Sequence, residues 1–401
     1  MNHLENQISG KIEKQKEKIL QFTKELIKIP TQNPPGENYD KIVGLIKKEL
    51  DSDLEIKIYS KNDKPNLVAK WNVGAKKTLH INGHYDVVPI TTNWKHNPFI
   101  PEIEGNKLFG RGSQDMKSGL AIMVYSIKIL KELNIRPACN IELSFTCDEE
   151  SGGIDGLGFL VKNKLIKPDY ALVLDGVNQI TNAHKGVLAL EITVIGKSAH
   201  AAWPSRGINA FTGACKLAGE LNSLNDKLTK IKSKCETEDE ITKSPTIVLG
   251  GVTIGGNKFN TIPGEFSFTI DRRIIPEEKI SDAKTQINKM IDTFKKNNPE
   301  YKIKIKTLLE AEPASTDKNS RIGKVFFDAV KKVKRKTPSF TMISGFLDMR
   351  FFVNNAKIDC IAYCARGENL HGDDEFVYID SIFDNTKILI YTMLDQELNK
   401  K

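Results

Sequence analysis

A chain of 401 residues is long enough for two domains, and 39% hydrophobic with 27% charged residues supplies an ordinary buried core. That balance excludes whole-chain disorder, while 28 glycines and 16 prolines exclude collagen-like and low-complexity classes. The formal charge of +8, from 59 basic against 51 acidic side chains, is a small excess. Its densest basic run, Lys331–Lys336, continues a helix-like segment from near Arg321 and reads as a solvated helix face. No RNA-binding, zinc-finger or basic-zipper pattern accompanies it, so no nucleic-acid partner is expected. The six cysteines (139, 147, 215, 235, 360 and 364) form no C-x-x-C pair, as expected of reduced thiols in a cytoplasmic protein. The segment MNHLENQISGKIEKQKEKIL lacks the apolar core of a secretory signal. The longest apolar-looking stretch, Gly119 to Leu130, is about a dozen residues and contains Lys128, too short to span a bilayer. A soluble protein with no membrane partner is expected.

In chain order, Ile19, Leu20, Phe22, Leu26 and Ile27 have helical spacing, and Ile42, Leu45, Ile46 and Leu50 repeat it after the loop PTQNPPGEN. Strands are expected where Leu54, Ile56 and Ile58 alternate, then at NLVAKW and TLHING. A helix over Ser118–Leu133 and the strands NIELSFT and YALVLD follow. Alternating strands and helices predict an α/β domain with a mixed, largely parallel sheet and helices on both faces. Beyond Gly186 the pattern changes. Leu188, Leu190, Ile192 and Val194 alternate on one strand face, and a helix follows over Ile208–Leu221. The strands TIVLGGVTIGG and EFSFTIDRR come next, then a helix opened by Pro276, then the strand YKIKIK. This strand–helix–strand–strand–helix–strand order is a split βαβ unit of α+β type. We place it at 187–309, inserted in a domain made of 1–186 and 310–401, to which the strand IDCIAYCA and a last helix from Tyr378 return.

Three of the expected strands run into metal-ligand residue types. TLHING leads to His84 and Asp86, NIELSFT to Asp148, Glu149 and Glu150, and YALVLD to Asp175. Open α/β sheets bind ligands outside the carboxyl ends of their strands, where these groups can converge. Asp115 lies in the glycine-rich LFGRGSQDMKSG before a helix, and His371 follows IDCIAYC in ENLHGDDE. Singly each is a common turn or capping residue. Two imidazoles and several carboxylates at one sheet edge are together a nitrogen–oxygen donor set suited to zinc, cobalt or manganese.

The ordered motifs HYDVVP, GRGSQDMKSG, DEE with SGG, the Asp175 position, GKSAHAAWPSRGINA, NTIPGE…DRR and HGDDEF run from about Ile27 to Tyr391. This string resembles the di-zinc exopeptidase and deacylase family of acetylornithine deacetylase, succinyl-diaminopimelate desuccinylase, aminoacylase and glutamate carboxypeptidases. The resemblance implies two divalent metal ions, zinc foremost with cobalt or manganese as alternatives. It implies His84 and Asp175 as ligands of one ion, Glu150 and His371 of the other, and Asp115 as the bridge. It makes Asp86 the carboxylate that orients His84, and Glu149 the general base. Neighbouring side chains at an extended strand end point in different directions, which would separate ligand Glu150 from base Glu149. In the inserted domain the resemblance makes His200 an oxyanion donor, usually reaching a partner subunit's site, and Asn260 and Arg273 holders of a substrate carboxylate. Strand alternation sends Arg272 to the face opposite Arg273. The implied activity is amide hydrolysis of an N-acyl amino acid or small peptide with a free carboxylate, by a homodimer whose inserted domain is lid and dimer interface. Acetylornithine deacetylase and succinyl-diaminopimelate desuccinylase are the nearest resemblance, a metallocarboxypeptidase or aminoacylase the alternative, and a non-catalytic binding protein of the same fold the distant one.

Three features depart from the deacetylase and desuccinylase pattern. Asp175 stands where Glu is common, His184–Gly186 (HKG) where desuccinylases usually carry two arginines before the glycine, and SGFLDMRF lacks their extra Gly/Thr. The HKG departure points away from a dicarboxylic succinyl substrate. Cys147 and Cys364, close in sequence to the motifs, read as core thiols.

Overall fold

Strand Thr78–His84 carries two kinds of side chain. Leu79 and Ile81 point into the hydrophobic core, while His80 and Asn82, equally buried, point to the other face. Its neighbour Asn140–Thr146 repeats the pattern, with Ile141, Leu143 and Phe145 on the apolar face and Glu142 and Ser144 opposite. The computed structural model containing these strands describes residues 3–50, 53–237 and 239–400, so the first two residues of the charged amino-terminal segment lie outside it. No helix among the described residues is long and apolar enough to cross a membrane.

The chain divides into two units, one of Met1–Asn182, Thr316–Thr341 and Leu347–Lys401, the other of Ala183–Ser315 and Met342–Phe346. The first holds a mixed sheet that runs in the order Glu55–Lys61, Lys64–Trp71, Asn140–Thr146, Thr78–His84, Tyr170–Val173, Cys360–Ala362, Ile180–His184. Pairing is parallel through the four central strands and antiparallel on both flanks. Helices His3–Ile27, Tyr39–Glu49, Ser118–Glu132, Arg321–Lys334 and Ile379–Leu394 bury their apolar stripes in the core on the Leu79 face. On the other face Phe352, from the turn Phe351–Ala356, lies against His80, and Phe351 meets Gly158 of the short helix Leu157–Lys162. Both faces are thus covered, as the sequence pattern predicts. Of the basic run, Lys331, Lys332, Arg335 and Lys336 are exposed, and Lys332 and Lys334 make surface pairs with Glu5 and Asp384.

The second unit holds an antiparallel sheet in the order Thr246–Gly255, Glu265–Ile274, Gly186–Ile195, Lys302–Ala311. Leu188, Leu190, Ile192 and Val194 lie under helices Ala210–Asn222 and Ile280–Asn297. The Asn209 side chain accepts from Phe211 and Thr212 N–H, which sets the start of the first helix. The second begins four residues after Pro276. Glu278 is engaged first by Arg272 and by Ile275 N–H in a turn, so the helix opens only at Ile280.

Candidate metal centre

The carboxyl ends of the central parallel strands meet at one edge, and each delivers a polar group there. His84 is the last residue of its strand, where Tyr85 N–H bonds to Thr146 across the sheet. Gly83 makes room for Met116, which an added Cβ would strike. Asp175 follows strand Tyr170–Val173, which Leu174 N–H ties to Asn82. Asp115 lies in the loop before helix Ser118–Glu132, and His371 lies between strands Cys360–Ala362 and Phe376–Tyr378.

Asp115 stands between two donor sets. Its Oδ1 lies 3.0 Å from His84 Nε2, and its Oδ2 lies 3.0 Å from His371 Nε2. Asp175 Oδ2 is 3.6 Å from His84 Nε2, and Glu150 Oε2 is 3.2 Å from His371 Nε2. His84, Asp115 and Asp175 each offer an atom within 4.8 Å of the others, and so do Asp115, Glu150 and His371. The first set is buried, whereas the His371 side chain is 50% exposed, so the second set is the side open to an incoming molecule.

The sites of Glu149 and Glu150 differ from the extended strand end expected from sequence. Asp148 turns the backbone to φ 73°, and Glu149–Ser151 form a single 3-10 turn. The two glutamates are separated by helical rotation, not strand alternation. Asp86 anchors this turn: its Oδ1 accepts from Glu149 N–H and its Oδ2 from Glu150 N–H, both at 3.2 Å, and Asn33 donates to Oδ2 at 2.8 Å. His84 Nδ1 lies 3.0 Å from the Asp86 main-chain oxygen and 3.6 Å from its carboxylate. Asp86 therefore meets the imidazole through its carbonyl, and its carboxylate holds the glutamate turn. An Nδ1–H donated to that carbonyl leaves Nε2 facing the carboxylates.

Charge is unevenly balanced here. Burial alone would lower the His84 pKa, but the Asp115, Asp175 and Asp86 carboxylates facing its ring nitrogens raise it well above its usual value. Hydrogen bonds to Asp115 and Glu150 raise His371 to about 11. Burial and the Asp115 charge push Glu150 up to about 7 and also raise Asp175. Burial pushes Glu149 well above the ordinary carboxylate range. Five carboxylates thus crowd two imidazoles, and Glu149 Oε1 and Glu150 Oε1 are buried without a hydrogen-bond partner. Buried oxygens short of donors, diverging from a shared carboxylate, fit two small divalent cations.

Residues to which the sequence assigned no role also surround this site. The Glu375 carboxylate accepts from Arg111 Nη1 at 2.8 Å and from the N–H groups of Gly112, Gln114 and Asp115 at 3.0, 2.9 and 3.1 Å. Asp148 accepts from Lys64 at 2.6 Å. Asp348 is fully buried, with neither oxygen hydrogen-bonded, and burial pushes it up to about 7. Arg350 donates to Gly152 O and holds the end of the glutamate turn. Glu375 sits inside HGDDEF, four residues past His371, and Asp348 and Arg350 sit inside SGFLDMRF. Their motifs were visible, but nothing in a string of residues shows which acid turns inward. Cys147 and Cys364 are buried, and Cys364 Sγ faces Gln114 O at 3.2 Å.

The remaining expected site residues lie in the second unit. His200 Nδ1 accepts from Ala202 N–H at 3.1 Å, which puts the proton of the neutral ring on exposed Nε2. Asn260 accepts from Ala201 N–H through its main chain. Arg273 forms a two-point pair with Asp271 at 2.8 and 2.9 Å. Arg272 is fully buried on the opposite face and bonds Glu278 at 2.7 Å.

A covered α/β sheet with imidazole and carboxylate donors converging at its carboxyl edge defines a metal-dependent enzyme architecture. The chain belongs to peptidase family M20/M25/M40, whose description matches residues 80–395, and it is a metallohydrolase of that family. An uncharacterized metallohydrolase of Methanocaldococcus jannaschii is 32% identical over 363 residues, 82% of this chain and 87% of its own length. A succinyl-diaminopimelate desuccinylase of Pelagibacter ubique is 30% identical over 385 residues, 92% of this chain and 96% of its own. The crystal structure of an M20 family metallo-carboxypeptidase from Sulfolobus solfataricus shares the fold with TM-score 0.81 and 21% identity, over 94% of this chain and 98% of that one.

Proposed function

We propose that this enzyme hydrolyses the amide bond of an N-acyl amino acid or small peptide with a free carboxylate, in the manner of acetylornithine deacetylase and succinyl-diaminopimelate desuccinylase. The observation that carries the reading is the division of Asp115, one oxygen toward His84 and the other toward His371. His84 and Asp175 would hold one divalent ion, Glu150 and His371 the other, with Asp115 shared. Such a pair, when bound, polarises the amide carbonyl and acidifies the attacking water. The Glu149 carboxylate takes the proton from that water and delivers it to the leaving amine nitrogen. Asp86 holds Glu149 and Glu150 through their N–H groups, so base and ligand keep a fixed relation. His200 Nε2–H donates to the developing oxyanion, and Arg273 with Asn260 holds the substrate carboxylate. The Asp271 pair orients the Arg273 fork and gives way to the substrate. Zinc is the proposed metal, the homodimer the proposed assembly and the cytoplasm the proposed compartment.

The test is a hydrolysis screen of N-acetyl, N-succinyl and N-formyl amino acids and dipeptides with zinc, cobalt and manganese. Cleavage of an N-acyl amino acid that a chelator abolishes and added metal restores is expected. Activity that survives complete metal removal would overturn the two-metal reading. Turnover confined to peptides would move the enzyme to the carboxypeptidase alternative.

A further inference from the structure

We propose that Arg111 and Glu375 are a positioning pair that governs occupancy of one of the two cation positions, the one formed by Asp115, Glu150 and His371. The proposal rests on the two-metal reading above. Both side chains are 1% exposed. Each oxygen of the Glu375 carboxylate is fully used: Oε2 by Arg111 Nη1 and Gly112 N–H, Oε1 by the N–H groups of Gln114 and Asp115. Its main-chain oxygen accepts a further bond from Gly110 N–H at 2.9 Å. With its lone pairs spent on the loop Gly110–Asp115, Glu375 has none free to be a ligand itself. What it does is fix the backbone from which Asp115 projects.

Arg111 closes the arrangement from the other side. While Nη1 holds Glu375, Nη2 donates to the main-chain oxygens of His371 at 3.3 Å and Gly372 at 3.0 Å. Its guanidinium centre also lies 5.1 Å from the Trp94 ring, a cation–π contact on the same group. One planar fork therefore ties the segment that carries Asp115 to the segment that carries His371. The two histidines differ in how much else holds them. His84 ends a central strand and is 1% exposed. His371 sits in a loop with left-handed backbone (φ 59°), and its side chain is half exposed. Loss of the Arg111 fork thus frees His371 and leaves His84 in place. The consequence is asymmetric: the His371 position should lose affinity while the His84 position keeps it.

The test uses the full-length protein stripped of metal and titrated with Co(II), read by calorimetry and by the visible absorption of bound cobalt. Circular dichroism checks that each variant is folded. Wild type is expected to take two equivalents. Arg111→Lys keeps the charge but loses the planar two-nitrogen fork that spans Glu375 on one side and the His371 and Gly372 carbonyls on the other. It should take the first equivalent within about threefold of wild type and the second about 10- to 100-fold more weakly, the usual cost of losing a group that orients a ligand. Its one-equivalent spectrum should match His371→Ala and differ from His84→Ala, a signature that general loosening of the fold would not give. Glu375→Gln, whose NH2 must face donors in either orientation, Arg111 and Gly112 N–H or Gln114 and Asp115 N–H, should weaken the same position at least as much. Two equivalents at wild-type affinity in folded Arg111→Lys would overturn the proposal, as would equal weakening of both positions. If Glu375→Gln fails to fold, the Arg111→Lys titration decides alone. Wild type taking up one equivalent or none would instead reject the two-metal reading.

Discussion

Glu149 and Glu150 are adjacent, yet one has its N–H on Asp86 Oδ1 and the other on Asp86 Oδ2, and only Glu150 reaches His371, at 3.2 Å. Removing each side chain should therefore fail differently. Glu149→Ala is expected to keep its metal while turnover falls by about 10²–10⁴, the range for loss of a positioned proton carrier. Glu150→Ala is expected to lose metal. Elemental analysis beside steady-state kinetics checks both, and equal metal loss in the two variants would reject the division of roles. Arg273 belongs to the same scale. Lys at 273 keeps the charge but loses the fork, so Arg273→Lys should lower kcat/KM by about 1–3 kcal/mol for carboxylate substrates, mostly through KM. An amidated substrate should show little further loss. Arg272, buried against Glu278, should affect folding rather than KM.

At the scale of elements, Lys70, Glu142 and His80 are register partners on three adjacent strands. Glu142 lies 2.9 Å from Lys70 and 3.1 Å from His80, under Phe352. Burial would raise the Glu142 carboxyl, but the hydrogen bonds and charges of His80 and Lys70 outweigh it and lower the pKa below its usual 4.5. A carboxyl with a depressed folded pKa stabilises the fold above its unfolded pKa, and that contribution fades as pH falls through the folded value. Glu142→Gln should therefore lower Tm at neutral pH and flatten the fall of Tm below about pH 4.5. Thermal melts from pH 3 to 8 in wild type and variant measure this. An unchanged acid limb would show that the trio contributes no pH-dependent stability.

For the whole molecule, Thr246–Gly255 is, among the described residues, an edge strand of the second unit's sheet, with Val248, Val252 and Ile254 each more than half exposed. Exposed apolar residues on an edge strand invite pairing with a second copy. If His200 serves a partner's site in such a dimer, mixing inactive His200→Ala with inactive Glu149→Ala should restore part of the activity. One site of each mixed dimer would then combine unaltered groups from both chains. No recovery after verified subunit exchange would place His200 in its own chain's site or outside catalysis.

Periodicity alone identified strands Thr78–His84 and Asn140–Thr146 and helix Ala210–Asn222 to within a few residues, because alternating or helical apolar spacing records which face is buried. Candidate donors were legible for a related reason: strand ends in an α/β sheet share one edge, so His84, Asp175 and the run Asp148, Glu149 and Glu150 could be gathered from their places after strands, while only the family resemblance singled out Glu150 from that run. Their partners could not. Whether Asp86 meets His84 by carboxylate or carbonyl depends on a turn that Asp148 makes at φ 73°, and local sequence leaves that dihedral open. Glu375 is one acid among three in HGDDE until the loop around Arg111 closes on it from 260 residues away. A strand's pattern is local and repeats along the chain. A buried carboxylate finds its donors by long-range packing, which only the folded chain decides.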